Sequence, residues 1–225
     1  MDIKNYYIEK GQGDVIILLH GNNGDGDYFS HQIEYFSEKY RVIAPDTRGH
    51  GKTPRGTKPF TLRTFADDLY EFMNLLNIKK ANIIGFSDGA NIAMLFALKY
   101  PGYVNALVLN GGNLDPSGVE EELQNSITEE YKGLVLTPDK TPEQIRLEEM
   151  LSIMINDPFI KPDELSKITA KTLVVAGTYD LIKREHTELI YNSLPNARLA
   201  FIEGGHLIAA ERSQEFNRIV DDFLK

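Results

Sequence analysis

Short apolar runs alternate along the chain with longer stretches in which apolar residues recur every three or four positions. The runs are Val15–Leu19, Arg41–Ala44, Ala81–Ile84, Ala106–Leu109, Leu173–Ala176 and Ala197–Phe201. Several are apolar at consecutive positions, as strands buried on both faces are. Their alternation with helical stretches predicts an α/β fold: a mostly parallel, doubly wound sheet of about seven or eight strands. A further strand is predicted at Tyr6–Glu9, pairing antiparallel with Val15–Leu19 through a turn at Gly11-Gln12-Gly13.

Between the second and third runs, Leu62, Phe65, Leu69, Phe72, Met73 and Leu76 form a helical stripe with Thr61 placed as its N-cap. Ser87 to Lys99 is apolar nearly all round, the pattern of a helix packed deep against a sheet. Tyr100-Pro101-Gly102 then stops it. Gln214 to Leu224 carries a last stripe of Phe216, Ile219, Val220 and Phe223.

The rhythm breaks from Gly111 to about Lys167. No strand is evident there, but helical pieces are predicted at Glu120–Glu130, at Pro142–Ile155 with Thr141 as cap, and at Pro162–Ile168. An insertion between strands of such a sheet lies over their C-terminal ends, where ligands bind. It reads as a lid. Leu123, Ile127, Leu134, Leu136, Ile145, Leu151 and Met154 are its candidate apolar roof, with Met154 a candidate substrate contact.

The chain has 225 residues, 42% of them apolar, enough for one sizeable core, and it carries no linker or repeat. A single domain over 1–225 with an insertion at about 111–167 is the expectation. With 24 basic and 33 acidic residues the net charge is −9, so there is no basic footprint for nucleic acid or an anionic membrane. No segment has the roughly 20 apolar residues of a membrane span, and Met1 to Lys10 lacks a signal-peptide core. A cytoplasmic protein acting on a small molecule is expected. Cysteine is absent, which removes thiol nucleophiles, disulfides and zinc–thiolate sites. The cluster Asn22-Asn23-Gly24-Asp25-Gly26-Asp27 lacks the calcium-loop spacing, and Gly11-Gln12-Gly13 precedes a strand instead of following one. Neither a metal nor another cofactor is expected.

Gly85-Phe86-Ser87-Asp88-Gly89 falls where a strand-like run gives way to a helix-like one. A Gly-x-Ser-x-Gly turn at such a switch is a nucleophile elbow, in which the glycines let strand and helix backbones pass closely. A serine nucleophile needs a base, a carboxylate to orient that base, and donors for the oxyanion. Of His20, His31, His50, His186 and His206, the last is favoured, because Glu203-Gly204-Gly205 follows a strand-like run and lets it reach back over the sheet. His20 reads as a residue bracing its own loop. Asp180, directly after the run Leu173–Ala176, is the favoured acid. Asp115 is its competitor, although next to Pro116 it also reads as a turn residue. One oxyanion N–H should come from Asp88, after the nucleophile, and the other from Asn22 in the glycine-rich loop His20–Gly24.

Taken together, His20-Gly21-x-x-Gly24, Asp46-x-Arg48-Gly49-His50-Gly51, Gly85-x-Ser87-x-Gly89, Gly177-x-x-Asp180 and Gly205-His206 resemble the α/β-hydrolase superfamily from about Gly11 to Leu224. The resemblance implies a Ser87–Asp180–His206 triad with Asn22 and Asp88 N–H groups as oxyanion donors. It also implies that the Asp46–Gly51 loop shapes the rim; Arg48 and His50 read as structural, since an Asp–Arg pairing and the glycines there suit a fixed loop. Aspartate after the nucleophile departs from the commoner esterase pattern and is similar to the elbow of valacyclovir-hydrolase-like enzymes. The Asp88 side chain either braces the elbow or meets a cationic substrate group. The implied activity is hydrolysis of a small-molecule carboxylic ester without a cofactor. A binding protein without turnover, a cofactorless oxygenase or perhydrolase, and a thioesterase or C–C hydrolase are the alternatives on the same triad.

Overall fold

The computed structural model describes residues 2–225. Its sheet contains β1 (Tyr7–Lys10), β2 (Val15–Leu19), β3 (Arg41–Pro45), β4 (Ala81–Phe86), β5 (Val104–Asn110), β6 (Lys171–Gly177) and β7 (Ala197–Ile202), in the order β1-β3-β2-β4-β5-β6-β7. Every pairing is parallel except that of β1.

The partner of β1 differs from the sequence expectation. It pairs antiparallel with β3, Tyr7 opposite Pro45 and Lys10 opposite Val42, and not with β2. Both edges of β2 are occupied by parallel neighbours, β3 and β4, so its ladder groups have no vacancy for a hairpin partner. Gly11 is therefore no hairpin turn: at φ +82° it lies against the carbonyls of Ser37 and Tyr40 behind α1 (Ser30–Phe36).

Alternation along the strands divides the core between two faces. Ile16 and Leu18 face a cluster with Ile33 and Phe36 of α1 and Phe216, Val220 and Phe223 of the last helix, Ser213–Leu224. Ile17 and Leu19 face the other cluster, built on α2 (Leu62–Leu75) and α3 (Asp88–Lys99). Thr61 caps α2 by accepting from the Thr64 N–H. In α3, every residue from Gly89 to Ala97 is buried, which explains its all-round apolar pattern.

The insertion carries α4 (Glu121–Leu136) and α5 (Pro142–Asn156), followed by a 3-10 turn at Pro162–Lys167. A reciprocal Thr141–Gln144 capping box starts α5. These lid-like helices are unequally fixed. Met150, Leu151 and Ile153 of α5 are buried, whereas α4 buries only Ile127. Leu136 and Ile145 are no part of an apolar roof, being 82% and 49% exposed. α4 runs past its expected end into solvent, and Leu136 has nothing beneath it to pack on.

The order of strands changes direction between β2 and β4: β3 lies on one side of β2, and the chain then crosses to β4 on the other. Ligands bind at the carboxyl ends of strands at such a switch point. The loops after β2, β4, β5, β6 and β7 all leave from this rim.

Candidate active site

Ser87 directly follows β4 and stands between strand and helix with φ 54° and ψ −120°. A non-glycine residue in that region is strained by about 1–3 kcal/mol. The surroundings enforce it: the Ser87 N–H donates to the Asn110 carbonyl at 2.8 Å, and its own carbonyl accepts from Ala90 at 2.8 Å and Asn91 at 3.2 Å. A Cβ on Gly89 would collide with the Leu19 carbonyl, and one on Gly85 with the Gly89 carbonyl. The glycines of the motif are thus set by close backbone approach on both sides of the serine.

Asp180 and His206 stand on the loops after β6 and β7. Their Oδ1 and Nδ1 atoms are 2.6 Å apart. Two further donors hold the carboxylate: Ile182 N–H on Oδ1 at 3.0 Å and Gly177 N–H on Oδ2 at 3.1 Å. With Nδ1 engaged by Asp180, Nε2 is the imidazole nitrogen left for a reaction. The space for this ring depends on Gly111, at φ +60°, where a Cβ would lie 2.8 Å from His206 Cε1. The Phe86 ring packs against the imidazole, with the centroids 4.8 Å apart and the planes tilted by 49°.

His31 is exposed on α1, and the other three histidines are engaged elsewhere. His20 donates from Nδ1 to the Gly21 carbonyl at 2.8 Å and accepts at Nε2 from the Thr47 N–H at 3.0 Å. Burial pushes its pKa down. His50 Nδ1 lies 2.9 Å from the Arg48 carbonyl, and burial, aided by His20 beside it, lowers its pKa to about 3. His186 accepts from the Leu114 N–H at 2.9 Å. Asp115, the alternative acid, caps the turn Pro116–Gly118 through the Ser117 N–H. The structure therefore brings together Ser87, Asp180 and His206 and leaves Asp115 outside.

Arg48 is fully buried, but its partners are not Asp46. It forks onto both Asp68 oxygens, each at 2.7 Å, and pairs with Asp2. Asp46 instead accepts from the Gly26 and Lys52 N–H groups. The ion pair that fixes this loop spans twenty residues, which local spacing could not reveal.

The loop after β2 touches the elbow, since a Cβ on Gly21 would lie 3.1 Å from Ser87 Cβ. Among the described residues, neither the Asn22 nor the Asp88 backbone N–H has an acceptor in the protein. The Asn22 side chain is turned away, donating to the Met150 carbonyl at 2.8 Å.

Ser87, Asp88 and His206 line a narrow cavity of about 40 Å³ together with Asn113, Val119, Leu123, Met154, Asp157, Leu181 and Ile182. That volume holds only a few water-sized groups. Leu123 comes from the loosely packed α4 and Met154 from α5, so two of the expected roof residues do cover the serine. A larger groove of about 420 Å³ lies at the opposite end of the sheet, around Lys80, Asn105, Lys171 and Asn196. It contains neither a histidine nor a carboxylate.

Asp88 is the most perturbed group in the cavity. Its Oδ2 is buried and, among the described residues, has no hydrogen-bond partner; Oδ1 has only a 3.4 Å contact from Asn91. Desolvation and the nearby Asp157 push its pKa up to about 7 from 3.8, against the opposing pull of His206. The N-terminal end of α3 favours the anion by about 2 kcal/mol at most. Desolvation outweighs this. Burial also raises the pKa of Asp157, which accepts from the Leu62 N–H at 3.2 Å. The sequence reading missed Asp157 and Asn113. Asn113, in Gly111-Gly112-Asn113 just beyond β5, stood where a rim residue belongs, whereas Asp157 at the end of a lid-like helix offered no local signal.

A family model described as the alpha/beta hydrolase fold matches residues 14–137, more than half of the chain. The chain belongs to that family. It is 28% identical to the serine hydrolase BPHL of Homo sapiens, over 99% of this chain and 84% of that protein. It is 27% identical to 2-hydroxy-6-oxo-6-phenylhexa-2,4-dienoate hydrolase of Burkholderia cepacia, over 96% and 89%. Among solved structures, a meta-cleavage product hydrolase from Pseudomonas fluorescens superposes with a TM-score of 0.80 at 26% identity, covering 99% of this chain and 94% of that one. The protein is an α/β-hydrolase-fold enzyme related to hydrolases of small molecules. Among the described residues no helix is long and apolar enough to cross a membrane, and no cluster of His, Asp and Glu could hold a metal ion.

Proposed function

We propose that the protein cleaves carboxylic esters of small molecules through an acyl-enzyme on Ser87. The observation that carries this reading is a serine held at positive φ in one cavity with the imidazole of an Asp180–His206 pair. His206 Nε2 takes the Ser87 proton as Oγ attacks the carbonyl, and Asp180 holds the ring and stabilises the imidazolium. The Asn22 and Asp88 N–H groups receive the oxyanion. His206 then returns the proton to the leaving alkoxide, and activates the water that releases the acid. A fluorophosphonate probe tests this reading: it should label the wild type and leave Ser87→Ala unlabelled. An unlabelled wild type would favour a binding protein without turnover.

The elbow's Asp88 narrows the substrate class. Two carboxyl groups on one small cavity favour a cationic substrate group, as in an amino-acid ester, which supports placing the chain near the valacyclovir-hydrolase-like branch. They disfavour an anion such as the dienoate in the name of the Burkholderia relative. Asp88→Asn should lower kcat/KM for amino-acid esters roughly tenfold to hundredfold more than for neutral esters, the range of a hydrogen bond to a charged group. Equal effects on both would remove Asp88 from substrate recognition.

The same variant has a signature in stability. With its folded pKa raised to about 7, Asp88 releases its proton more readily in the unfolded chain. The contribution of Asp88 to stability is therefore lost as pH rises from about 4 through 7. Asp88→Asn removes that loss, so its stability relative to wild type should increase by about 1–3 kcal/mol between pH 5 and pH 8 in denaturant melts. A difference independent of pH would contradict the raised pKa.

A further inference from the structure

The helix α5 meets the loops of the site along one face. Arg146, Glu149 and Met150, spaced three and four apart, share that face. The Met150 carbonyl accepts from Asn22 Nδ2 at 2.8 Å, and Arg146 donates to Asn23 Oδ1 at 3.0 Å and to the Gly49 carbonyl at 3.5 Å. Glu149 receives the Arg55 guanidinium on both oxygens, from Nε at 2.9 and 3.0 Å. Asn22 and Asn23 need this outside support. Among the described residues, the one backbone tie across the tip of that loop runs from the Gly24 N–H to the Gly21 carbonyl, 3.2 Å, and Asn23 stands at φ +55°.

We infer that the Asn22 side chain and Arg146 are positioning residues, which clamp the oxyanion loop to α5 and so set the place of the Asn22 N–H. The inference rests on the oxyanion role proposed for that N–H. It gives the two lid-like helices different work. α5 is a fixed wall of the catalytic platform, whereas α4, which buries only Ile127, takes no part in the clamp. The clamp has a chemical reason. A donor must meet the oxygen only after it moves to its tetrahedral position, so a small displacement of the loop costs transition-state stabilisation and spares substrate binding.

Asn22→Ala keeps the backbone N–H and removes only the tie to Met150. It should lower kcat for p-nitrophenyl acetate about 10- to 100-fold, less than the complete loss of an oxyanion donor, with KM within about threefold of wild type. Affinity for a trifluoromethyl ketone, whose serine adduct carries an oxyanion, should fall by the same factor. Arg146→Ala should show a smaller effect of the same pattern, and Arg146→Lys, which keeps a donor for Asn23, should recover most of it. Arg146→Ala also serves if Asn22→Ala fails to fold. A loss confined to KM, or unchanged trifluoromethyl ketone affinity in both variants, overturns the clamp. Ser87→Ala run alongside separates the two levels: if it keeps wild-type turnover, the catalytic reading itself fails, whereas an inactive Ser87→Ala beside wild-type clamp variants removes the clamp alone.

Discussion

Ser87→Ala and His206→Ala should each reduce ester hydrolysis about 10⁴- to 10⁶-fold, and the double variant should be no slower than the worse single one. Removing either member ends the same step, since a serine without a base is a poor nucleophile and a base without a serine has no proton to take. The expected effect of Asp180→Asn is about 10⁴-fold. Its mechanism differs. Oδ1 now receives both the His206 Nδ1–H, at 2.6 Å, and the Ile182 N–H, and an amide offers one acceptor oxygen where the carboxylate offered two. An amide nitrogen turned toward the ring would stabilise the wrong tautomer, with the proton on Nε2. Steady-state kinetics on p-nitrophenyl esters check all four variants. Effects that multiply in the double variant would mean that Ser87 and His206 do not act as one unit.

The largest effect on stability should come from Arg48, which does not line the Ser87 cavity. Arg48→Ala leaves the Asp68 carboxylate, 5% exposed, without its bidentate partner and strips Asp2 as well. Breaking a buried pair by removing one member costs about 3–5 kcal/mol. For a chain of this size that is a fall in Tm of roughly 10 °C. Lysine should rescue poorly, because an ammonium cannot reproduce a planar fork onto two oxygens. The double variant Arg48→Met/Asp68→Leu should lie closer to wild type than Arg48→Ala, since no charge is left buried alone. Thermal melts of the four proteins decide it. An Arg48→Ala protein as stable as wild type would show that the pair contributes nothing.

What could be read from the chain was what depends on neighbours in sequence. Consecutive apolar residues marked β2, β5 and β6 because both faces of those strands are covered, and the capping residues Thr61 and Thr141 marked helix starts because a cap acts over three residues. The elbow was legible as a five-residue motif, although only Gly85 meets its obstacle within it, at the Gly89 carbonyl; the carbonyl that bars a side chain at Gly89 belongs to Leu19 of β2. Pairings decided at long range were not legible. β1 lies against β3 because the edges of β2 are taken, and nothing near Gly11 records that. The tie from Asn22 to the Met150 carbonyl spans 128 residues, and Asp157 reaches the cavity only because α5 ends above the start of α2.

In the proposed mechanism Ser87 carries the acyl group during turnover. Rapid-quench kinetics with a p-nitrophenyl ester, combined with mass analysis of the quenched protein, test it most directly. The expected result is a burst of about one nitrophenolate per chain where deacylation is the slower step, with the acyl mass on the peptide that contains Ser87. A Ser87→Ala protein that still turns over at the wild-type rate, or an acyl group found on another residue, would contradict it.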